Sequence, residues 1–201
     1  MKIKLSALAL SGIVLLSGSA FGMDLDPKFY VGAEAQANQL KNGKEFVDAT
    51  NGKSTIRKNN PSLGLMLGSR LNEYVGVEVG YNFMKESKYT FNNASTLKMK
   101  MRNAYVDALG YLPVANNVDL IGSIGAGRLT TKPTFKNQAG ADQLTDAQRK
   151  DSKTKMGLRL GVGAQYKLDD NLGVRFMVRH QKGNKAVKNL KSAGLGLFYQ
   201  F

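Results

Sequence analysis

Apolar and polar residues alternate with a period of two along most of the chain from Lys28 onward. Such alternation marks strands with one face against an apolar medium. Met156 to Leu168 shows it best: Met156, Leu158, Leu160, Val162, Ala164, Tyr166 and Leu168 oppose Gly157, Arg159, Gly161, Gly163, Gln165 and Lys167. Lys28 to Asn38 sets Phe29, Val31, Ala33, Ala35 and Ala37 against Gly32, Glu34 and Gln36. Pro61 to Leu71, Tyr74 to Phe83, Leu172 to His180 and the terminal run from Ser192 to Phe201 repeat the pattern. Two further strands, about Lys98 to Leu112 and Val118 to Arg128, alternate less cleanly, with Ala104, Val106 and Ala108 assigned to the apolar face. This makes eight strands, each near or above the ~9–11 residues that cross a bilayer at a tilt.

The connections are short and long in turn. Asn72-Glu73, Pro113 to Asn117 and Asp169 to Asn171 are tight turns. Gln39 to Asn60, Met84 to Leu97, Leu129 to Lys155 and Gln181 to Asn189 read as long hydrophilic loops. The segment Asp142 to Lys150 has a Thr145 or Asp146 start compatible with one helical turn. Short turns at one end and long loops at the other are the asymmetry of outer-membrane barrels.

A soluble ligand-binding barrel would share the period, with its apolar face inside. Three features oppose that reading. Eleven of the 22 glycines fall on the polar face (Gly32, Gly64, Gly68, Gly76, Gly80, Gly157, Gly161, Gly163, Gly173, Gly194 and Gly196), as a narrow lumen filled by side chains requires. Apolar-face aromatics gather near strand ends (Phe29, Tyr81, Phe83, Tyr166, Tyr199, Phe201), where membrane interfaces lie. The final strand ends on such an aromatic, Phe201. The fold class is therefore all-β, an eight-stranded antiparallel up-and-down transmembrane barrel.

The leading residues fit this destination. Lys2 and Lys4, the apolar stretch Leu5 to Leu16 and Ala20-Phe21-Gly22 read as a signal peptide over 1–22, leaving a barrel over 23–201. Losing that segment lowers the formal charge from +14 to +12. With no cysteine in the chain, disulfides and thiolate metal sites are excluded. Neither a cofactor nor a metal is expected.

The terminal aromatic strand, the Leu71-Asn72-Glu73-Tyr74 turn and the run from Gly161 to Arg175 resemble the hairpins of OmpA/OmpX-like porin-family barrels. The resemblance covers the whole mature chain. It implies an integral protein of the bacterial outer membrane, with Tyr199 and Phe201 in the signal that the barrel assembly machinery reads and with periplasmic chaperones as further partners. The peptidoglycan-binding domain of the longer OmpA-type members is not expected here, so a cell-wall tether is not carried over.

Candidate chemistry lies in two places. Glu34, Glu78 and Asp107 share the polar face with Arg70, Arg159, Lys167, Arg175 and Arg179. Within a narrow lumen they form an ion-pair network, either a polar plug or a charge-selective pore. Glu34 and Glu78 are the expected partners of Arg159, Arg175 and Arg179. The loops are basic: Lys41, Lys44, Lys53, Arg57 and Lys58; Lys85 and Lys88; Arg149, Lys150, Lys153 and Lys155; Lys182, Lys185 and Lys188. They suit lipopolysaccharide phosphates at the rim, or adhesion to host or sulfated glycan surfaces. Nucleic acid is disfavoured, since the signal removes the chain from the cytosol and no recognition motif interleaves with the cations.

A lipid-A-modifying hydrolase would need a nucleophile beside a base. The single histidine, His180, is followed by Gln181-Lys182, so the His-x-Ser spacing of deacylase barrels is missing. The leading expectation is a monomeric, non-enzymatic structural and surface-interaction protein. A narrow porin-like pore is the alternative, and a lipid-A enzyme the third reading.

Overall fold

The computed structural model describes residues 26–42, 60–85, 87–90, 96–136, 153–182 and 187–201. The expected signal segment and the helical turn over 142–150 lie outside the described residues.

Nine strands are formed among them: β1 Lys28–Asn42, β2 Asn60–Arg70, β3 Val75–Met84, β4 Ser87–Thr90, β5 Thr96–Ala115, β6 Val118–Lys136, β7 Lys153–Lys167, β8 Leu172–Lys182 and β9 Val187–Gln200. Each pairs antiparallel with its neighbour, and β1 pairs with β9. β3 and the short β4 both pair with β5, as successive stretches of one wall strand. The sheet is thus an eight-strand closed antiparallel barrel. Closure removes every edge and satisfies the backbone within the sheet, as a bilayer demands.

The expected turns between β2 and β3 and between β7 and β8 are present, and only Asn116-Asn117 separates β5 from β6. At the other end the strands outrun the sequence pattern. β6 continues to Lys136, so the connection expected to begin at Leu129 starts eight residues later. Leu129 is fully buried. Likewise Met84 ends β3 as a buried lumen residue, and part of the second expected loop is strand. Above the apolar zone both faces of a strand can be polar, so pairing persists after hydrophobic contrast has gone.

Side chains alternate around the wall as a tilted barrel requires. Leu63, Leu65, Leu67, Leu158, Leu160, Val162, Leu195 and Leu197 are each 45% or more exposed, which in a bilayer means contact with lipid. Ala104, Val106 and Ala108 also face outward. The lumen is not purely polar, however. Tyr30, Met66, Leu109, Tyr111, Ile121, Met177 and Phe198 form an apolar cluster within it.

The lumen glycines make room for these bulky groups. Gly68 lies opposite Tyr30 and Gly80 opposite Tyr105. A methyl group at either glycine would run into the tyrosine ring. Glycine therefore lets a large side chain lie flat across the neighbouring strand.

Candidate functional site: the charged lumen and the basic outer boundary

The alternation that turns leucines outward on β7 and β8 turns Arg159, Arg175 and Arg179 inward, where each is at most 3% exposed. A buried guanidinium needs a carboxylate. Arg175 Nη1 reaches Glu78 Oε2 at 2.5 Å, and Arg179 Nη1 reaches Glu34 Oε1 at 2.6 Å. Arg159 departs from the expected pairing. Its Nε lies 2.8 Å from Asp107 Oδ2, not beside Glu34 or Glu78. Residue 159 lies opposite Gly125 on β6, and Gly125 lies opposite Asp107 on β5. Only a glycine separates the pair across three strands, whereas the two glutamates belong to other strands.

Glu78 is the hub. Besides Arg175, it accepts hydrogen bonds from the hydroxyls of Tyr30 (2.8 Å) and Tyr105 (3.0 Å), and Arg179 Nη2 stands 4.0 Å away. Arg159 and Arg175 also stack on aromatic faces, 3.9 Å from the Tyr105 centroid and 5.0 Å from that of Tyr30. These contacts favour the planar guanidinium over lysine.

Arg70 sits apart, beside the short turns. Its Nη1 reaches Asp119 Oδ2 at 2.7 Å, and two further nitrogens donate to the carbonyls of Asn72 and Glu73. Asp119 also accepts from Gln165 Nε2 at 2.8 Å, and Gln165 Oε1 accepts from Arg175. Sequence reasoning missed Asp119, Tyr30 and Tyr105, and placed Gln165 on the polar face without joining it to the network. Asp119 could have been found by extending the parity of Ile121 and Ser123 by one step. Its strand hides it because Ile121 and Leu129 make the lumen face apolar. Lys167, expected within this network, lies at the mouth and is only half-buried.

Among the described residues, four carboxylates (Glu34, Glu78, Asp107, Asp119) thus meet four guanidiniums (Arg70, Arg159, Arg175, Arg179), and the set is formally neutral. Toward the outer end the lumen is filled by uncharged polar pairs. Asn103 and Gln181 exchange two hydrogen bonds at 2.8 and 3.0 Å, and Asn38 donates to Ser62 Oγ at 2.8 Å.

The outside of the barrel is differently charged. Every acid of the described strand positions points inward, so the lipid-facing wall carries none among the described residues. Ascending the wall from the short turns, the first polar outward residues are Gln39 on β1, Lys85 just past β3, Arg102 on β5, Arg128 on β6, Thr154 on β7, His180 on β8 and Lys191 on β9. Five of these seven are cations or histidine. The short-turn boundary instead bears exposed aromatics (Phe29, Tyr74, Tyr166, Tyr199, Phe201) and no outward lysine or arginine among the described strand positions.

Of the basic loop residues expected from sequence, Lys182 is exposed at the end of β8. Lys53, Arg57 and Lys58 lie outside the described residues, as does Lys185, and no side-chain position is described for Lys188. His180 faces outward directly opposite Lys191. Tyr199 and Phe201 are 50% and 66% exposed, and the Phe201 amide donates to the carbonyl of Phe29 at 2.9 Å.

A closed eight-strand antiparallel barrel with an apolar belt and a charged, filled interior defines a class, the small integral barrels of the bacterial outer membrane. The chain belongs to the outer membrane protein beta-barrel domain family, whose model matches residues 6–201. Among solved structures it is similar to Ail, the attachment invasion locus protein of Yersinia pestis, at 16% identity and a TM-score of 0.55, covering 89% of this chain and 100% of that one. It is also similar to neisserial surface protein A (17%, TM-score 0.56, covering 86% and 97%). A third match is the N-terminal barrel domain of OprF from Pseudomonas aeruginosa (15%, TM-score 0.52, covering 88% and 100%). At these identities the likeness is one of fold. One Ail structure holds the heparin analogue sucrose octasulfate. A comparison with curated protein sequences gives no match. The barrel is therefore a protein integral to the bacterial outer membrane.

Proposed function

We propose that this barrel is a non-enzymatic structural and surface-interaction protein. Its basic outer end engages lipopolysaccharide and other anionic surfaces, sulfated glycans included. One observation carries the reading: among the described residues, the lipid-facing wall lacks acids and changes from apolar to cationic at the long-loop boundary, where an outer leaflet presents phosphates. The Ail complex with a heparin analogue supports sulfated glycans as a second anionic target for such an end.

The lumen serves as a plug in this reading. Four buried ion pairs and a layer of apolar side chains fill it, and eight strands leave little further space. The terminal strand carries the assembly signal, with Tyr199 and Phe201 presented on the lipid face to the assembly machinery. Deleting Phe201 should then lower outer-membrane insertion and leave chain in the periplasm.

The central test pairs two measurements on the refolded barrel. Binding to immobilised heparin that weakens with salt, with no steady conductance in planar bilayers, is the expected result. Stable channels in the wild-type protein would instead establish the narrow-pore alternative.

A further inference from the structure

The outer cations are unevenly distributed, and the barrel register shows where they converge. On β5 and β6, Arg102 lies opposite Thr130, and Arg128 lies opposite Ala104. The two arginines are therefore diagonal neighbours on the outward face, and both are exposed. Diagonal positions on adjacent strands lie ~7–8 Å apart at Cα, a span that two arginine side chains can close on a single tetrahedral anion. Neither guanidinium has an ion-pair or side-chain hydrogen-bond partner among the described residues.

The surroundings suit an amphiphile. Thr130 stands beside Arg102, and its hydroxyl is 3.3 Å from that of Thr154 on β7, so hydroxyls flank the pair on one side. Phe83 and Tyr81, with ring centroids 4.7 Å apart, flank it on the other, opposite Arg102 and Ala104. Toward the short-turn end the wall beneath the pair is mostly of small residues, Ala104, Ala108 and Gly110 on β5 and Ala126 and Gly122 on β6, with Val106 and Ile124 standing out between them. Gly110 and Gly122 lie opposite each other, and a methyl group on either would meet nothing within 4 Å. On β7 the corresponding wall carries Leu158, Leu160 and Val162.

We propose that Arg102 and Arg128 form a binding site for a phosphate of the outer-leaflet glycolipid, with one acyl chain lying along the β5–β6 wall. The site rests on the reading that the basic outer end meets phosphorylated glycolipid. Two guanidiniums supply planar, bidentate donor pairs at a position where the membrane changes from hydrocarbon to headgroup. His180 and Lys191, on the β8–β9 wall, offer no guanidinium and serve as the comparison site.

The test uses the refolded full barrel in neutral detergent. Binding of bisphosphorylated lipid A, of fully dephosphorylated lipid A and of phosphatidylglycerol is read by native mass spectrometry. Arg102→Gln/Arg128→Gln should weaken binding of bisphosphorylated lipid A about tenfold or more, the scale of losing a charge-assisted contact. His180→Gln/Lys191→Gln should change it far less. Arg102→Lys/Arg128→Lys, which keeps charge and loses the fork, should fall between. All variants should keep the wild-type urea midpoint without lipid, since these residues face away from the lumen.

If lipid A binding moves only with His180 and Lys191, the assigned site is wrong while the wider reading stands. If wild-type protein does not distinguish phosphorylated from dephosphorylated lipid A, the wider reading fails as well. Equal affinity for phosphatidylglycerol would overturn the glycolipid as the source of the phosphate.

Discussion

The lumen and the outer wall use arginine under opposite rules. Inside, Arg175 is 2% exposed and has Glu78, Gln165 and two aromatic rings around it. Outside, Arg102 and Arg128 are exposed and, among the described residues, have no acid on their face of the barrel. A buried charge must be compensated by its own protein, because lipid and water cannot reach it. A boundary charge is free to be compensated by whatever the membrane or its surroundings supply. Partner-rich arginines thus report on stability, and partner-poor arginines at a defined height report on ligands.

The largest effect should come from breaking the inner rule. Glu78→Ala removes the shared acceptor of Arg175, Tyr30 and Tyr105 and should cost about 3–5 kcal/mol, the range for orphaning one member of a buried pair. The unfolding midpoint of the refolded barrel in urea checks it. A companion change sharpens the point: Glu78→Gln/Arg175→Met removes both charges and should restore much of the loss. Equal destabilisation by both variants would show that the hub works through shape, not charge compensation.

The outer rule is broken by placing a charge where no headgroup can reach it. Leu195 is 62% exposed on β9, level in the sheet with Phe176 and Ala35. Leu195→Arg should destabilise the barrel by about 2–4 kcal/mol in bilayers, the cost of a cation near the midplane of such a wall. The same change in detergent micelles should cost less. Lys191→Leu, four residues nearer the boundary, should be close to neutral. A similar cost at both positions would place the apolar zone elsewhere.

This contrast also explains what the sequence revealed. β7 and β8 were legible because their lumen residues, Met177 and Lys167 apart, are glycine, arginine and glutamine while their wall residues are mostly leucine, valine and phenylalanine. β5 and β6 were harder to read. Met101, Tyr105, Leu109, Tyr111, Ile121 and Leu129 face the lumen there, and Arg102 and Arg128 face outward, so the contrast fades or inverts. The charged lumen residues could be named from parity alone. Which acid meets which arginine could not, because that depends on barrel register and on a glycine such as Gly125 between partners.

The smallest predicted effect separates two turns built alike. In the β2–β3 turn, Asn72 Oδ1 accepts hydrogen bonds from the amides of Tyr74 and Val75, both at 2.8 Å. In the β7–β8 turn, Asp169 Oδ1 accepts from Asn171 at 2.8 Å and Leu172 at 2.5 Å. Both are side-chain turns of the kind Asn and Asp favour, but only in the β7–β8 turn does the accepting side chain titrate. The amides of Leu172 and Asn171 hold the Asp169 carboxyl below its ordinary range. A carboxyl depressed in the folded state adds stability above its unfolded value of about 3.9 and loses it as pH falls through the folded value. Acidification should therefore lower the protection of the Leu172 amide, taken against its intrinsic exchange rate at each pH, more than that of Val75. Asp169→Asn should remove the difference. Amide hydrogen exchange followed from about pH 6 to pH 3 reads both turns in one sample. Equal acid sensitivity at the two amides, or an unchanged profile in Asp169→Asn, would show that the carboxylate does not hold the β7–β8 turn.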